Sequence, residues 1–166
     1  MARTIQQSVE FAATPGQLYS TYLDSKKHGA VIGSKASINP KVGGRFSAFD
    51  GGLSGKILHL VRNEAIIQTW RSAGWSKKTP DSVLILTFSQ TRKGAQVNMV
   101  HANVPDKDVA GVQKGWNNFY WKPWQASLKP GAKKAGVAAK GKKAAAKPKP
   151  KAKAARKPAR RRARRS

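Results

Sequence analysis

The sequence predicts an α+β domain over residues 1–128 and a separate basic tail over residues 129–166. Segments with the apolar–polar alternation of β-strands follow one another through the middle of the domain, and helical patterns lie at its two ends. All five Trp, all five Phe and all three Tyr residues precede Leu128. The tail holds 17 of the 33 Lys and Arg residues and none of the 7 Asp and Glu residues, so it cannot build a hydrophobic core.

The first elements are one strand and two short helices. Ile5, Gln7, Val9 and Phe11 alternate with polar residues, which predicts a strand with one polar edge. Thr14 and Pro15 then provide a helix N-cap and a first-turn proline, and apolar residues at helical spacing continue to Leu23. A second short helical segment is expected to end at about Ile32.

A run of strands without intervening helices follows. Glycine pairs and short polar turns separate segments that are rich in β-branched and aromatic residues. We expect these strands at 45–50, 53–61, 65–72, 82–90 and 96–104. This order predicts an antiparallel meander rather than a βαβ repeat, in which helices would alternate with strands.

A long helix is predicted to close the domain, beginning after Pro105 with Asp106 at its N-terminus and ending near Leu128. Its apolar stripe is predicted to contain Val109, Val112, Trp116, Phe119 and Tyr120. Trp124 lies near this stripe, whereas Trp121 should point to one side. Two arrangements are possible for so many large rings between a helix and a sheet: the rings fill the core, or they line a cavity.

Four segments of the domain resemble one protein family. They are GGRFSAFDGGLSGKILHLV at 43–61, AIIQTWRSAGW at 65–75, NVPDKDVAG at 103–111 and GWNNFYWKPW at 115–124. Together they are similar to the activator of the 90-kDa heat-shock-protein ATPase, in its C-terminal-domain type. That family belongs to the helix-grip superfamily of birch-pollen-allergen-like and lipid-transfer domains. The resemblance extends over about residues 3–128.

The resemblance implies a helix-grip fold, in which a curved antiparallel sheet wraps round a long C-terminal helix and two short helices follow the first strand. It implies an apolar cavity between the sheet and the helix. It also implies an activity, the stimulation of a 90-kDa heat-shock-type ATPase, which stands as an alternative to ligand binding.

The candidate ligand pocket combines apolar side chains of the strands with the inward face of the last helix. Its predicted lining is Phe46, Trp70, Leu84, Leu86, Phe88, Val97, Met99, His101, Val112, Trp116, Phe119 and Tyr120. His101 and the Tyr120 hydroxyl would supply the polar groups of a mostly apolar site for a hydrophobic small molecule. A fully packed core would use the same residues, and sequence patterns do not separate the two arrangements.

The three histidines have different predicted surroundings. His28 lies in a polar segment and is expected in solvent. His59 lies between Leu58 and Leu60, whose alternation suggests that they face the core, so His59 should face water. His101 shares a strand face with apolar residues and should point inward. It would serve there either as a polar group that orients a ligand or as a core histidine with a neighbouring partner.

The sequence carries no catalytic or metal-binding motif that we recognise. The chain has no Cys, which removes disulfides, thiol nucleophiles and thiolate metal ligands. Its few carboxylates form no convincing acid–base pair, and Asp106 and Asp108 suit the N-terminus of the last helix. We therefore predict a protein that is not an enzyme and that needs no cofactor or metal. An enzyme that uses His101 in the cavity is the alternative.

The tail is predicted to be disordered and to bind nucleic acid, DNA in the first place, without sequence preference. Lys, Arg, Ala, Pro and Gly make up nearly all of it, and this composition resembles the tails of linker histones. Its phosphate-binding residues are predicted to be Lys133, Lys134, Lys140, Lys142, Lys143, Lys147, Lys149, Lys151, Lys153, Arg156, Lys157, Arg160, Arg161, Arg162, Arg164 and Arg165. Base stacking is not expected, because the tail has no aromatic residue. Attraction to anionic membranes and a nuclear-import signal are the alternative interpretations.

The combined prediction is a non-enzymatic helix-grip domain with a hydrophobic ligand pocket, held on nucleic acid by its tail. No apolar run is long enough to cross a membrane, so we expect a cytoplasmic protein, nucleoid-associated in a bacterium and nuclear in a eukaryote. The expected partners are nucleic acid, a hydrophobic small molecule and a 90-kDa heat-shock-type chaperone. Trp75, Trp121 and Trp124 are expected to pack under loops rather than form an exposed aromatic patch.

Overall fold

The strand order places the first strand of the chain beside the last. In the computed structural model, which describes residues 1–128, seven strands form one curved antiparallel sheet in the order β1-β7-β6-β5-β4-β3-β2. The strands are β1 Ala2–Phe11, β2 Ala36–Ile38, β3 Arg45–Ala48, β4 Leu53–Val61, β5 Ala65–Ser72, β6 Ser82–Thr91 and β7 Gly94–Pro105. The predicted antiparallel meander is confirmed, and the predicted disorder of the tail lies outside the described residues.

Two strands differ from the prediction at the edge of the sheet. The three-residue strand β2, which pairs with β3, is too short to show an alternating pattern in the sequence. Strand β3 ends at Ala48 rather than at residue 50, because Phe49 and Asp50 both have a φ of 54°. That value lies in the left-handed region, which a strand does not use.

A bulge in β4 turns Leu58 away from the core, contrary to the prediction. The pairing of β4 with β5 shifts between Ile57 and His59, so the alternation of inward and outward side chains is broken there. Leu58 was expected to face the core and is instead 43% exposed, whereas Leu60 is half-buried. His59 is exposed, as predicted.

The two short helices have well-formed N-termini. Helix α1, Pro15–Leu23, begins with a reciprocal pair in which Thr14 Oγ1 accepts from the Gln17 amide at 3.2 Å and Gln17 Oε1 accepts from the Thr14 amide at 2.8 Å. Helix α2, Ser25–Ile32, begins at Asp24, whose carboxylate accepts from two backbone amides of the first turn. Both predicted helices are confirmed.

The C-terminal helix, residues 109–127, contains three successive segments. They are α3 Val109–Gly115, a π-helical segment Trp116–Trp121, and α4 Lys122–Ser127. A single 3₁₀ turn, Asp106–Asp108, connects it to β7. The wider π-helical turn rotates the following side chains relative to an α-helix, which the sequence pattern did not reveal.

This rotation changes which rings of the C-terminal helix face the core. Phe119, expected on the inward stripe, is 54% exposed. Trp121, expected to point to one side, is buried and stacks on Trp116 with ring centres 5.2 Å apart. Trp75 and Trp124 are also buried, so the prediction that these tryptophans pack rather than form an exposed patch is confirmed.

Candidate ligand cavity

A cavity of about 470 Å³ lies between the C-terminal helix, strands β4 and β5, and the turn that connects β3 to β4. Its lining consists of Phe49, Gly52, Leu53, Trp70, Ser72, Trp75, Lys107, Asp108, Gly111, Val112, Gly115, Trp116, Phe119 and Tyr120. Six of these fourteen residues are aromatic, and a few polar groups lie among the others. Such a composition suits a flat apolar molecule with limited polarity.

The sheet side of the cavity depends on two irregular segments. The left-handed backbone at Phe49 directs its ring towards the helix, where it contacts Phe119 and Tyr120 edge-on at centre distances of 5.7 and 6.0 Å. The connection after β5 carries Trp75 against Trp70, with ring centres 5.4 Å apart. An aromatic residue with positive φ is uncommon and is often found where function requires it.

Arg71 holds the connection that carries Trp75. Its guanidinium donates to the carbonyl oxygens of Ser76 at 2.6 Å and Thr79 at 2.7 Å, and it pairs with the Asp81 carboxylate at 2.9 Å. One side chain thereby satisfies three acceptors within a single polar loop. The loop is fixed beside the cavity although its sequence is too polar to pack by burial.

The predicted lining residues separate into two groups. Five of them, namely Trp70, Val112, Trp116, Phe119 and Tyr120, line the cavity. The other seven lie in the core beyond it and are each 5% exposed or less; they are Phe46, Leu84, Leu86, Phe88, Val97, Met99 and His101. Both alternatives left open by the sequence are therefore present, a filled core and a cavity, at different places along the sheet.

Several lining residues were missed by the sequence patterns. Gly111 and Gly115 lie four positions apart on the C-terminal helix and face the cavity together with Trp116. The paired glycines in a helix were a usable signal, because glycine is unfavourable in helix interiors. No comparable signal marked Phe49 or Asp108, since their positions follow from local backbone geometry.

His101 belongs to a buried chain of hydrogen bonds with one direction. The Trp116 indole N–H donates to His101 Nδ1 at 3.1 Å. Nε2 therefore carries the proton of the neutral imidazole and donates to Ser82 Oγ at 2.8 Å, and the Ser82 hydroxyl donates to the Trp70 carbonyl oxygen at 2.7 Å. The inward orientation predicted for His101 is confirmed, and its partners are those of a core histidine.

This arrangement does not provide a nucleophile and its base. A base must accept a proton at the nitrogen that faces the hydroxyl, but here that nitrogen, Nε2, is protonated. Ser82 and His101 are both fully buried, and His101 does not line the cavity. Burial also lowers the pKa of His101 to about 4, so that the imidazole is neutral at physiological pH.

His28 is not exposed to solvent, contrary to the prediction. It is completely buried between α1 and the C-terminal helix. Its Nδ1–H donates to the Tyr22 carbonyl oxygen at 2.7 Å, and Nε2 accepts from the Tyr120 hydroxyl at 3.3 Å. The polar residues around His28 in the sequence face water on the other side of a short helix, which hid its inward position. Burial lowers the pKa of His28 to about 4.

Two polar groups of the cavity wall have no partner in the described part of the chain. The Trp70 indole nitrogen is buried, as is one carboxylate oxygen of Asp108, and neither forms a hydrogen bond with residues 1–128. Asp108 also makes no side-chain bond to the start of the C-terminal helix. Both atoms are inaccessible to solvent, so they lie behind the surface of the cavity and do not open into it.

Other kinds of site have less support within residues 1–128. That region holds no group of three or more His, Asp or Glu side chains placed to bind a metal ion. None of its helices combines the length and the apolar composition needed to cross a membrane. The predicted nucleic-acid-binding residues, Lys133 to Arg165, all lie outside the described region.

Known proteins with similar sequences cover most of the domain. Residues 12–123 match the family described as activator of Hsp90 ATPase homolog 1-like protein. The activator of 90 kDa heat shock protein ATPase homolog of Dictyostelium discoideum is 30% identical over 115 residues, which cover 69% of this chain and 30% of that protein. The human activator homolog 1 is 24% identical over 111 residues, or 67% and 32% of the two chains. The chain thus spans about a third of the length of these curated relatives.

Solved structures show the same fold at lower identity. An HSP90 activator from Plasmodium falciparum has a TM-score of 0.64 and 23% identity, and the match covers 70% of this chain and 90% of that one. The Aha1 dimer from Colwellia psychrerythraea has a TM-score of 0.65 and 18% identity, with coverage of 77% and 97%. The fold and the sequence match agree: the chain belongs to the activator of Hsp90 ATPase homolog 1-like family, in the helix-grip fold.

Proposed function

We propose that the domain is a co-chaperone that binds a 90-kDa heat-shock-type ATPase and stimulates its ATP turnover. The observation that carries this proposal is the family match over residues 12–123, with relatives whose names describe such activation. Because the chain spans about a third of those relatives, we assign to this domain only a share of what the longer proteins do.

The charge of the domain is consistent with a protein partner of opposite sign. Residues 1–128 hold 16 Lys and Arg residues against 7 Asp and Glu residues. A net positive surface accelerates encounter with an acidic surface and makes the association rate dependent on salt. Phe119, exposed at the edge of the cavity, adds an aromatic group of the kind that is enriched in protein interfaces.

The test is a turnover assay with the full chain and a 90-kDa heat-shock-type chaperone. We expect ATP hydrolysis to rise several-fold and to saturate with added protein. An inhibitor of the chaperone's nucleotide site should abolish the whole signal, which controls for contaminating ATPases. Unchanged turnover at saturating protein would remove the co-chaperone proposal.

We propose second that the tail attaches the protein to nucleic acid. Its support is the composition of residues 129–166, which carry 17 basic residues and no acidic residue. Cations that approach phosphates release condensed counterions, which gives affinity without sequence preference. If half of these residues contact duplex DNA, the slope of log affinity against log salt should be roughly −8.

A salt-titrated binding assay with duplex DNA tests the tail directly. The full chain should show the steep slope, and a chain ending at Leu128 should bind far more weakly. A matched full-length variant replaces the five arginines of the last cluster by glutamine, namely Arg160, Arg161, Arg162, Arg164 and Arg165. It should lose about two units of slope. Equal affinity of the full and shortened chains would remove the proposal.

We propose third that the cavity holds an apolar small molecule and does not convert it. The support is the aromatic wall of a cavity of about 470 Å³ and the protonated Nε2 of His101, which lies behind that wall. Native mass spectrometry of the purified protein tests for a retained ligand. Hydrolysis of any apolar ester or amide that depends on His101 would contradict the proposal that the ligand is not converted.

A further inference from the structure

Strand β1 forms one edge of the sheet, and its outer side is unpaired. It has ten residues, and within residues 1–128 it pairs only with β7. The Glu10 carbonyl oxygen lies on the unpaired side, because the Gln125 side-chain amide of the C-terminal helix donates to it at 3.4 Å. Backbone groups of alternate residues point to the same side of a strand, so those of Gln6 and Ser8 point there too. They have no backbone partner in the described part of the chain.

The opposite edge of the sheet is protected. Strand β2 has only three residues, and the Ser25 hydroxyl bonds both the amide and the carbonyl oxygen of Ile38, at 2.8 and 3.3 Å. Natural sheets cover or shorten their edges in such ways, because an open edge is a template for another strand. From Ile5 to Phe11, β1 has no proline, no bulge and no inward-pointing charge. Only β1 therefore offers a long open edge among the strands of residues 1–128.

A groove of about 640 Å³ runs beside this edge, between β1 and the outer side of the C-terminal helix. Contacts at both ends hold the helix alongside the strand: Arg3 pairs with Asp106 just before the helix, and Gln125 bonds Glu10 near its end. An added strand would lie about 4.8 Å from β1, with its inward side chains against the helix. The lining of the groove is Val9, Ala110, Gln113, Lys114, Asn117, Asn118, Trp121, Lys122 and Gln125.

The groove combines lysines with neutral amides, and none of its lining residues is acidic. Lys114 and Lys122 are exposed, and the Lys122 ammonium group donates to Asn118 Oδ1 at 3.3 Å. Side-chain amides provide both donors and acceptors, so they can bond a peptide backbone. The two lysines favour acidic side chains over basic ones. The groove shares no lining residue with the apolar cavity, which lies on the other side of the helix.

We infer that β1 binds an acidic peptide segment in extended conformation, which joins the seven-stranded sheet as an eighth strand. The backbone groups of Gln6 and Ser8 bond the peptide backbone, and Lys114 and Lys122 contact its carboxylates. This surface goes beyond the functions proposed above and uses neither the cavity nor the tail.

The chemistry of the edge favours a peptide over nucleic acid and over a second copy of the chain. The edge presents carbonyl oxygens as well as amides, and a phosphate has no donor for a carbonyl oxygen. Two copies joined edge to edge would bring together domains that each hold 16 basic and 7 acidic residues. An acidic peptide supplies the missing donors and the opposite charge.

Three peptides of equal charge test the inference with the full chain. Each has about ten residues in which glutamate alternates with threonine; one is unmodified, one is N-methylated at the threonine amides and one at the glutamate amides. The side chains of Gln6 and Ser8 are exposed on the outer face of the sheet, so the peptide residues that bond them also face outward. Glutamates that reach the lysines face inward, which leaves the threonine amides to bond β1.

Methylation of the threonine amides should therefore weaken binding at least tenfold, whereas methylation of the glutamate amides should change it less than twofold. Attraction to the basic tail cancels from this comparison, because the three peptides carry the same charge. Fluorescence anisotropy measures the affinities. Hydrogen exchange followed by NMR should show that the unmodified peptide protects the Ser8 amide.

Variants locate the surface. Ser8→Pro removes a donor of the open edge and puts a ring in the path of another strand, and it should weaken the unmodified peptide at least tenfold. Proline is compatible with the fold there because the Ser8 amide points away from β7. Lys114→Gln combined with Lys122→Gln should weaken binding a few-fold and reduce its salt dependence. The matched control changes two lysines of the loop after β5, Lys77→Gln with Lys78→Gln, and should leave the affinity unchanged.

Contrary outcomes are distinct for each alternative occupant. Equal affinities for the two methylated peptides would show attraction by charge alone and would overturn the inference, even if Ser8→Pro did not fold. Protection of the Ser8 amide that rises with the concentration of the free chain would assign the edge to a second copy. Protection by a short DNA duplex, with none by the peptide, would assign it to nucleic acid. Either result would overturn the inferred peptide site.

Discussion

The indole N–H of Trp116 donates a hydrogen bond to Nδ1 of His101 over 3.1 Å, and this bond decides which nitrogen of the histidine is protonated. It connects the π-helical segment of the C-terminal helix to β7. Through Ser82 it continues to the backbone of β5 at Trp70. Since Trp116 and Trp70 also form the cavity wall, the position of the wall depends on this buried chain of donors and acceptors.

Trp116→Phe should destabilise the domain by about 2 to 4 kcal/mol in the free energy of unfolding. The change leaves Nδ1 of His101 buried without a donor and removes part of a ring that stacks on Trp121. Chemical denaturation followed by circular dichroism measures the difference.

A double-mutant cycle isolates the hydrogen bond from the lost ring contacts. Trp116→Phe combined with His101→Leu should cost less than the two single changes added together, because no unpaired nitrogen remains. Additive costs would show that the Trp116–His101 bond does not contribute as described.

Stability should decrease as the pH falls from about 6.5 to about 4. Burial lowers the pKa of both His28 and His101 from 6.5 to about 4, so the unfolded chain binds more protons in that interval. Each histidine should then cost up to roughly 3 kcal/mol at the acid end and nothing above pH 7. Denaturation midpoints at a series of pH values measure this dependence.

His28→Asn provides the matched control for the pH dependence. The Asn side-chain amide can keep the donor to the Tyr22 carbonyl oxygen, but it does not titrate. The variant should show about half of the decrease in stability between pH 6.5 and 4. A decrease equal to that of the unchanged protein would mean that His28 is accessible to protons in the folded state.

Two glycine-to-alanine substitutions should change stability in opposite directions. A Cβ at Gly55 on β4 would lie 2.0 Å from the Thr69 carbonyl oxygen of β5, so Gly55→Ala should force the strands apart and cost about 3 kcal/mol or more. A Cβ at Gly111 meets nothing within 4 Å, and Gly111→Ala should stabilise the helix by about 0.5 to 1 kcal/mol. Thermal unfolding of the two variants, measured beside the unchanged protein, tests the predicted loss and the predicted gain of stability. A tolerated Gly55→Ala would contradict the close approach of β4 and β5.

Gln68→Met should leave stability unchanged or increase it by about 1 kcal/mol. Gln68 lies fully buried on β5 with its amide near the buried Tyr22 hydroxyl, but within residues 1–128 the amide forms no hydrogen bond of standard geometry. Methionine has a similar shape and removes the buried polar atoms. Urea denaturation measures the change, and a loss above 1 kcal/mol would indicate that the amide is hydrogen-bonded in solution.

Sequence patterns predicted the succession of strands along the chain, because most of the long strands alternate between polar and apolar residues. The pairing of β1 with β7 was not predicted. Sequence patterns also predicted the start of α1, where Thr14, Pro15 and Gln17 form a recognisable N-terminal pair. The fold could therefore be predicted almost completely from local periodicity and a family resemblance. The exceptions were short or irregular, such as the three residues of β2 and the bulge at Leu58.

The cavity was harder to predict because it depends on departures from regular geometry. The π-helical segment moved Phe119 outward and Trp121 inward, and no sequence rule marks such a segment. Phe49 was predicted to lie in a strand over residues 45–50. Its left-handed backbone instead ends the strand and brings the ring into the cavity wall. His28 was assigned to solvent because its neighbours in the sequence are polar, although its partners Tyr22 and Tyr120 come from other elements.

The most direct test of the proposed function compares the full chain with a chain that ends at Leu128 in a chaperone turnover assay. The shorter chain keeps the whole sheet and the C-terminal helix and loses only residues 129–166. We predict that both chains raise the ATP turnover of a 90-kDa heat-shock-type chaperone to the same maximum. Stimulation that disappears with the tail, or that neither chain produces, would contradict the assignment of co-chaperone activity to the helix-grip domain.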